Sequence, residues 1–144
     1  MEIKIGKRTI PLFYSTYELV AIQEEIGCTA FQLRDEVFGI KQEDEDDPMS
    51  IRIKCATDPE KTKKLGKLIA ILGNAGLEEK GEEPNLTAKW IMRNMKPAMI
   101  TVYALAAMAV IAEGNKVETP QTEEEQGPVD MILEEQNAKK PQGN

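Results

Sequence analysis

The chain contains no histidine, so the side chain that most often carries protons near neutral pH is missing. Its paired carboxylates, Glu24-Glu25 and Glu78-Glu79, are adjacent in sequence and point apart on a helix. They read as solvated faces rather than an acid–base pair. No nucleophile elbow, P-loop, dinucleotide fingerprint or metal-ligand spacing occurs. Cys28 and Cys55 lack CxxC spacing and read as free thiols of a reducing cytosol. The run Glu43-Asp44-Glu45-Asp46-Asp47 could attract a divalent cation, but it lacks the alternating ligands and glycine of a calcium loop. A non-enzymatic protein without cofactor or metal is the expectation.

With 144 residues the chain makes one domain, or a domain and a tail. A folded unit of about 110 residues hides roughly two-thirds of its unfolded surface, so the core is real but thin. The formal net charge is -7, which opposes nonspecific nucleic-acid binding. That charge is concentrated in the acid block and in the segment after Gly114, which carries seven acids against three lysines. The expected organisation is a mostly helical domain over 1–114 and an acidic disordered tail over 115–144. The tail holds one apolar patch, Val129-Asp130-Met131-Ile132-Leu133. The N-terminus, MEIKIGKRTI, lacks the apolar core of a signal peptide.

The elements that would position any site follow from local patterning. Residues 2–14 read as a β-hairpin turning at Gly6-Lys7-Arg8, with Pro11 pushing the second strand to an edge. Ser15-Thr16-Tyr17-Glu18 is a capping box that opens a helix to Ile26, with Leu19, Ile22 and Ile26 inward and Gly27 as the stop. Thr29 to Gln32 opens a second, short helix with Leu33 and Val37 inward and Gly39 ending it. The acid block and Pro48 form an exposed loop, and Ser50 to Cys55 alternates as a short strand or a lead-in to the next helix. Asp58-Pro59 starts that helix, which runs to about Leu72 before Gly73, Asn74 and Gly76 break it. Its Lys61, Lys64 and Lys67 read as a solvated row. Thr87 caps a helix with Ala88, Ile91, Met92 and Met95 on one face, and Pro97 begins the last helix, which Gly114 ends. The predicted fold class is mainly α (α+β): a small N-terminal β-hairpin, then a bundle of about five helices.

The last helix is unusual. From Pro97 to Ala112 it has one clearly polar side chain, Thr101; a helix apolar on all sides must be hidden on all sides, and a body this small is not expected to hide it unaided, so a partner surface is expected. The run is shorter than the ~20 residues that span a bilayer, so a membrane is not expected. Met92, Met95, Met99 and Met108 cluster here. Methionine suits both irregular cores and adaptable binding surfaces, and the sequence leaves these two roles level. Trp90 is a core anchor or a rim residue.

Residues 19–38 have the outline of a DNA-reading helix-turn-helix around Gly27. Gln23 stands where a small residue is expected, and the second helix offers Asp35 and Glu36 beside Arg34, a poor surface for phosphates. A DNA-binding regulator is therefore the alternative.

The order of elements resembles the tail assembly chaperones of long-tailed (siphophage-type) bacteriophages and prophages of Gram-positive hosts. The likeness covers roughly residues 1–114: the EIKIG opening strand, Tyr17-Glu18 leading into a helix that closes at Glu25-Ile26-Gly27, the LIAILGNAGL stretch from Leu68 to Leu77, the connector with Pro84 and Leu86-Thr87, and Trp90-Ile91. The resemblance implies a chaperone of the host bacterial cytoplasm that coats the apolar, helical tape measure protein, helps recruit tail tube protein, and leaves before the virion is complete; a structural head–tail junction subunit, which would stay in the particle, is a further alternative. A surface for client or self-association is then expected at Ile91, Met92, Met95, Met99, Ile100, Tyr103 and Met108.

Overall fold

The computed structural model describes residues 1–42, 46 and 51–117. The acid-block loop (Asp46 excepted) and the tail from residue 118 lie outside the described residues.

Strand β1 (Glu2–Ile5) pairs antiparallel with β2 (Arg8–Pro11), Ile5 opposite Arg8, across a tight Gly6-Lys7 connection. Arg8 thus belongs to the strand rather than the turn. Helix α1 (Thr16–Glu25) starts as its capping box dictates. Ser15 N–H donates to Glu18 Oε1 at 2.9 Å, and Tyr17 N–H donates to Ser15 Oγ at 3.3 Å. Glycine 27, at φ +87°, takes the left-handed turn that ends the helix. Residues Ala30–Gln32 form a 3-10 turn that continues as a π-turn over Arg34–Phe38, with Leu33, Val37 and Phe38 inward.

A second hairpin follows. Strand β3 (Ile40–Gln42) pairs with β4 (Ile51–Ile53), which settles residues 51–53 as strand. Its partner was not foreseen, because three residues beside a charge run carry too short an alternation to register.

Helix α2 (Pro59–Glu79) is capped by Asp58, whose Oδ1 accepts from Glu60 N–H at 3.0 Å. It continues seven residues beyond Leu72, through the glycines expected to break it. The reason is steric. A methyl at Gly76 would lie 2.1 Å from the Pro11 carbonyl oxygen, and one at Gly73 would lie 2.5 Å from Leu86 Cδ1 and 2.9 Å from Ile10 Cγ2. The strand backbone comes so close that Phe13 N–H donates to the Leu72 carbonyl at 3.1 Å. Asn74 is no breaker either. Its side chain mimics a strand edge, accepting from Leu86 N–H at 2.8 Å and donating to the Leu86 carbonyl at 3.0 Å, which clamps the connector before α3 (Ala88–Asn94).

From Leu68 to Gly73 every residue of α2 is buried, so α2 is the axial helix, packed by α1, α3, β2 and the π-turn. The final helix, α4 (Ile100–Gly114), enters through a 3-10 turn at Pro97–Met99 and packs on one side of α2. Among the described residues the fold is thus a β-hairpin and five helical segments with a second small hairpin, mainly α with minor β.

Gly76→Ala tests the close approach. Alanine favours a helix interior by about 1 kcal/mol over glycine, so a surface glycine would gain. Here overpacking against the Pro11 carbonyl wins, and urea unfolding should show a net loss of about 1–3 kcal/mol. A gain would mean that the strand does not sit on the helix.

Candidate protein-binding face

Helix α4 has two apolar faces, and only one is covered. Ile100, Tyr103, Ala104, Ala107, Val110 and Ile111 are buried, at the i, i+3, i+4, i+7 spacing of a packed helix face. Tyr103 fixes the orientation: its hydroxyl donates to the Lys4 carbonyl at 2.7 Å, tying α4 to β1. The opposite face is open. Met99 is 38%, Val102 49% and Leu105 51% exposed, and Ala98, Ala109 and Ala112 are exposed along the same line. One side of this helix is thus left uncovered by the small body it packs on. The helix enclosed by its neighbours is α2, and α4 lies on the flank.

The open face runs into a groove of about 500 Å³ between α4 and the end of the first hairpin, lined by Met1, Leu12, Phe13, Tyr14, Ala109 and Val110, with Glu113 beside them. Met1 and Phe13 are themselves exposed. Alanine 109 belongs to both features, so they form one apolar surface about 20 Å long at the helical rise of 1.5 Å per residue. At Gly114 a Cβ would meet Tyr14 Cδ2 at 2.6 Å, so the small residue seats the helix end against the hairpin.

The structure divides the expected binding residues. Ile91, Met95, Ile100 and Tyr103 are buried. As surface-lining side chains they are corrected: in a single copy they belong to the core, because α3 and the inner face of α4 need them to cover α2. Met92 and Met108 are half-buried and Met99 is exposed. Sequence reasoning missed Val102 and Leu105, which sit between the methionines. No sequence signal separates them from the inner face, because the helix is apolar all round and either stripe could meet the body. Trp90 is half-buried and packs against the core, with the Arg8 guanidinium 5.8 Å from its ring centre.

Elsewhere the chemistry is quiet. Among the described residues no group of acids and cysteines is placed to hold a metal ion. Burial pushes both thiols, Cys28 and Cys55, above the usual cysteine range. Lys64 pairs with Glu36 at 3.2 Å and Lys80 with Glu2 at 2.7 Å. The Lys80 ammonium holds the Glu2 carboxyl below its usual range, although exposed pairs of this kind add little to stability. In the helix-turn-helix region the second helix is only the 3-10 and π-turn pair, on which Phe31 is 95% exposed and Glu36 is engaged by Lys64.

Neither a protein-family model, nor a curated protein, nor a solved structure matches this chain. The functional reading therefore starts from the exposed face and the residues around it.

Two tyrosines beside that face should respond oppositely to loss of the hydroxyl. Tyr103→Phe removes a hydrogen bond and leaves the Lys4 carbonyl without it, costing about 1 kcal/mol. The Tyr14 hydroxyl is buried without a partner among the described residues, so Tyr14→Phe should be neutral or stabilising. Burial, and secondarily the Glu18 carboxylate, raises the Tyr14 hydroxyl above its ordinary value of 10.0. The neutral form is the one the fold favours, so its contribution is intact below that value and is lost as pH rises through the raised one. Chemical denaturation across alkaline pH should show that loss in the parent and a flatter profile in Tyr14→Phe. For the thiols, raised pKa and burial predict slow reaction with a disulfide reagent near neutral pH until the chain is unfolded.

Proposed function

We propose that this chain is an assembly chaperone of a long-tailed phage or prophage that holds the tape measure protein through the open face of α4. The observation that carries the reading is the continuous row Met99, Val102, Leu105 and Ala109 left uncovered along one helix. Soluble chains seldom expose a continuous apolar surface without a partner for it. Ala98, Ala109 and Ala112 flank the larger Met99, Val102 and Leu105, and about four turns of apolar face suit an amphipathic or apolar helix laid alongside. A long helical client could take many copies along its length, each shielding one stretch. The likeness to tail assembly chaperones supports the same client and adds recruitment of tail tube protein. The host bacterial cytoplasm, and departure before the virion is complete, follow from that reading. When no client is bound, the same face favours self-association.

A lipid surface is the competing occupant, because Pro97–Gly114 is an 18-residue helical run of mean hydropathy 1.6. Only a third of it is buried within the fold.

The test is a double substitution, Val102→Asp and Leu105→Asp, made on residues that pack against nothing essential. Surface changes of this kind alter stability by about 0.5 kcal/mol or less. The variant should keep its circular dichroism and unfolding midpoint, lose co-purification of a co-expressed tape measure protein, and lose concentration-dependent light scattering. Undiminished co-purification would remove the face from the proposal. If the parent floats with phospholipid vesicles, the variant does not, and neither holds the tape measure protein, the face belongs to lipid.

A further inference from the structure

The open face of α4 ends where the acidic tail begins. The helix stops at Gly114, Asn115 N–H donates to the Ile111 carbonyl at 3.0 Å, and Lys116 and Val117 lead away exposed. Eleven residues further on, 118–128, comes the one apolar patch of the tail, Val129-Asp130-Met131-Ile132-Leu133. We propose that this patch folds back in cis onto the open face of α4 and acts as a built-in stand-in for the client.

Reach, pattern and charge each support that occupant over a second copy. An eleven-residue connector spans up to about 36 Å when extended, while the open stripe from Ala112 back to Met99 needs only about 20 Å. The connector contains Pro120 and Gly127-Pro128, residues that favour a reversal of direction. Val129, Ile132 and Leu133 are spaced i, i+3, i+4, the pattern with which a helix addresses an apolar groove. Glu134 and Glu135 come next. In an antiparallel return they approach the far end of the stripe, where Arg93 and Lys96 are exposed and have no acidic partner among the described residues. The start of α4 also favours negative charge there.

Tethering makes such a weak segment effective. A short flexible linker gives an effective concentration in the millimolar range, so a patch too small to bind in trans can cover the face in cis. A client with many turns of apolar helix then displaces it. The cap rests on the same face as the client reading, but not on the client.

The full chain, carrying p-benzoylphenylalanine at position 105 in place of Leu105, is irradiated at a dilution where scattering shows a monomer. Mass spectrometry should find cross-links within one chain to the peptide containing residues 129–133. Cross-links to a second copy alone, or none to that peptide, overturn the proposal. As a second readout, the full-length triple variant Met131→Ser, Ile132→Ser, Leu133→Ser should bind the apolar dye anilinonaphthalene sulfonate more tightly than the parent. The gain is roughly tenfold if the cap covers the face nine-tenths of the time, and an unchanged titration overturns the proposal. The substituted residues belong to none of the described elements, and an unchanged unfolding midpoint of the variant shows that it tests the cap rather than folding. Neither readout contains a client, so their failure leaves client binding standing. A tape measure protein that fails to bind would leave the cap standing.

Discussion

The structure depends on one close contact between backbones. Phe13 N–H reaches the Leu72 carbonyl, an oxygen that the helix ladder already assigns to the amide four residues on. A strand end can lie on a helix at that distance only where the helix carries no side chains, and Gly73 and Gly76 provide that gap. Two glycines in a helix interior cost about 1 kcal/mol each. The burial of Ile10, Leu12, Leu72 and Leu77 around them offsets it, since each fully buried aliphatic side chain contributes about 1.5–3 kcal/mol.

That contact decides which helix is central. With the hairpin pressed on one side of α2, α1 and the π-turn on others, and α3 held by the Asn74–Leu86 clamp, α2 is covered over most of its length. Little of its surface is left for α4, which covers a flank and is tied to β1 through Tyr103. The most apolar helix of the chain therefore has fewer neighbours than its composition calls for. Its outer stripe is a consequence of how the body packs, and it is the feature that a partner can use.

Such a surface is tolerable on a free protein only if something opposes aggregation. Net charge does this in part, and here it is concentrated in the acid block and beyond Gly114, while the described body is closer to neutral. Like charge on every copy repels other copies at a distance.

Much of this was legible in the sequence, because capping and strand alternation act over a few residues. The Ser15–Glu18 box, the Asp58-Pro59 start, the Thr87 cap and the first hairpin all stand where their residues require. Of the expected inward set, Ile22, Ile26, Leu33 and Val37 are buried and Leu19 is half-buried. The sequence also showed that the run after Pro97 is apolar on every side. It could not show which side meets the body, because a uniformly apolar helix carries no moment to orient it. Nor could it show that Gly73 and Gly76 continue a helix: a glycine that breaks and one that admits a neighbouring backbone look identical until the neighbour is in place. Tertiary packing decided both, since strand, helix and connector come together from distant parts of the chain. Local propensity of about 1 kcal/mol per residue yields to the burial that such an approach makes possible.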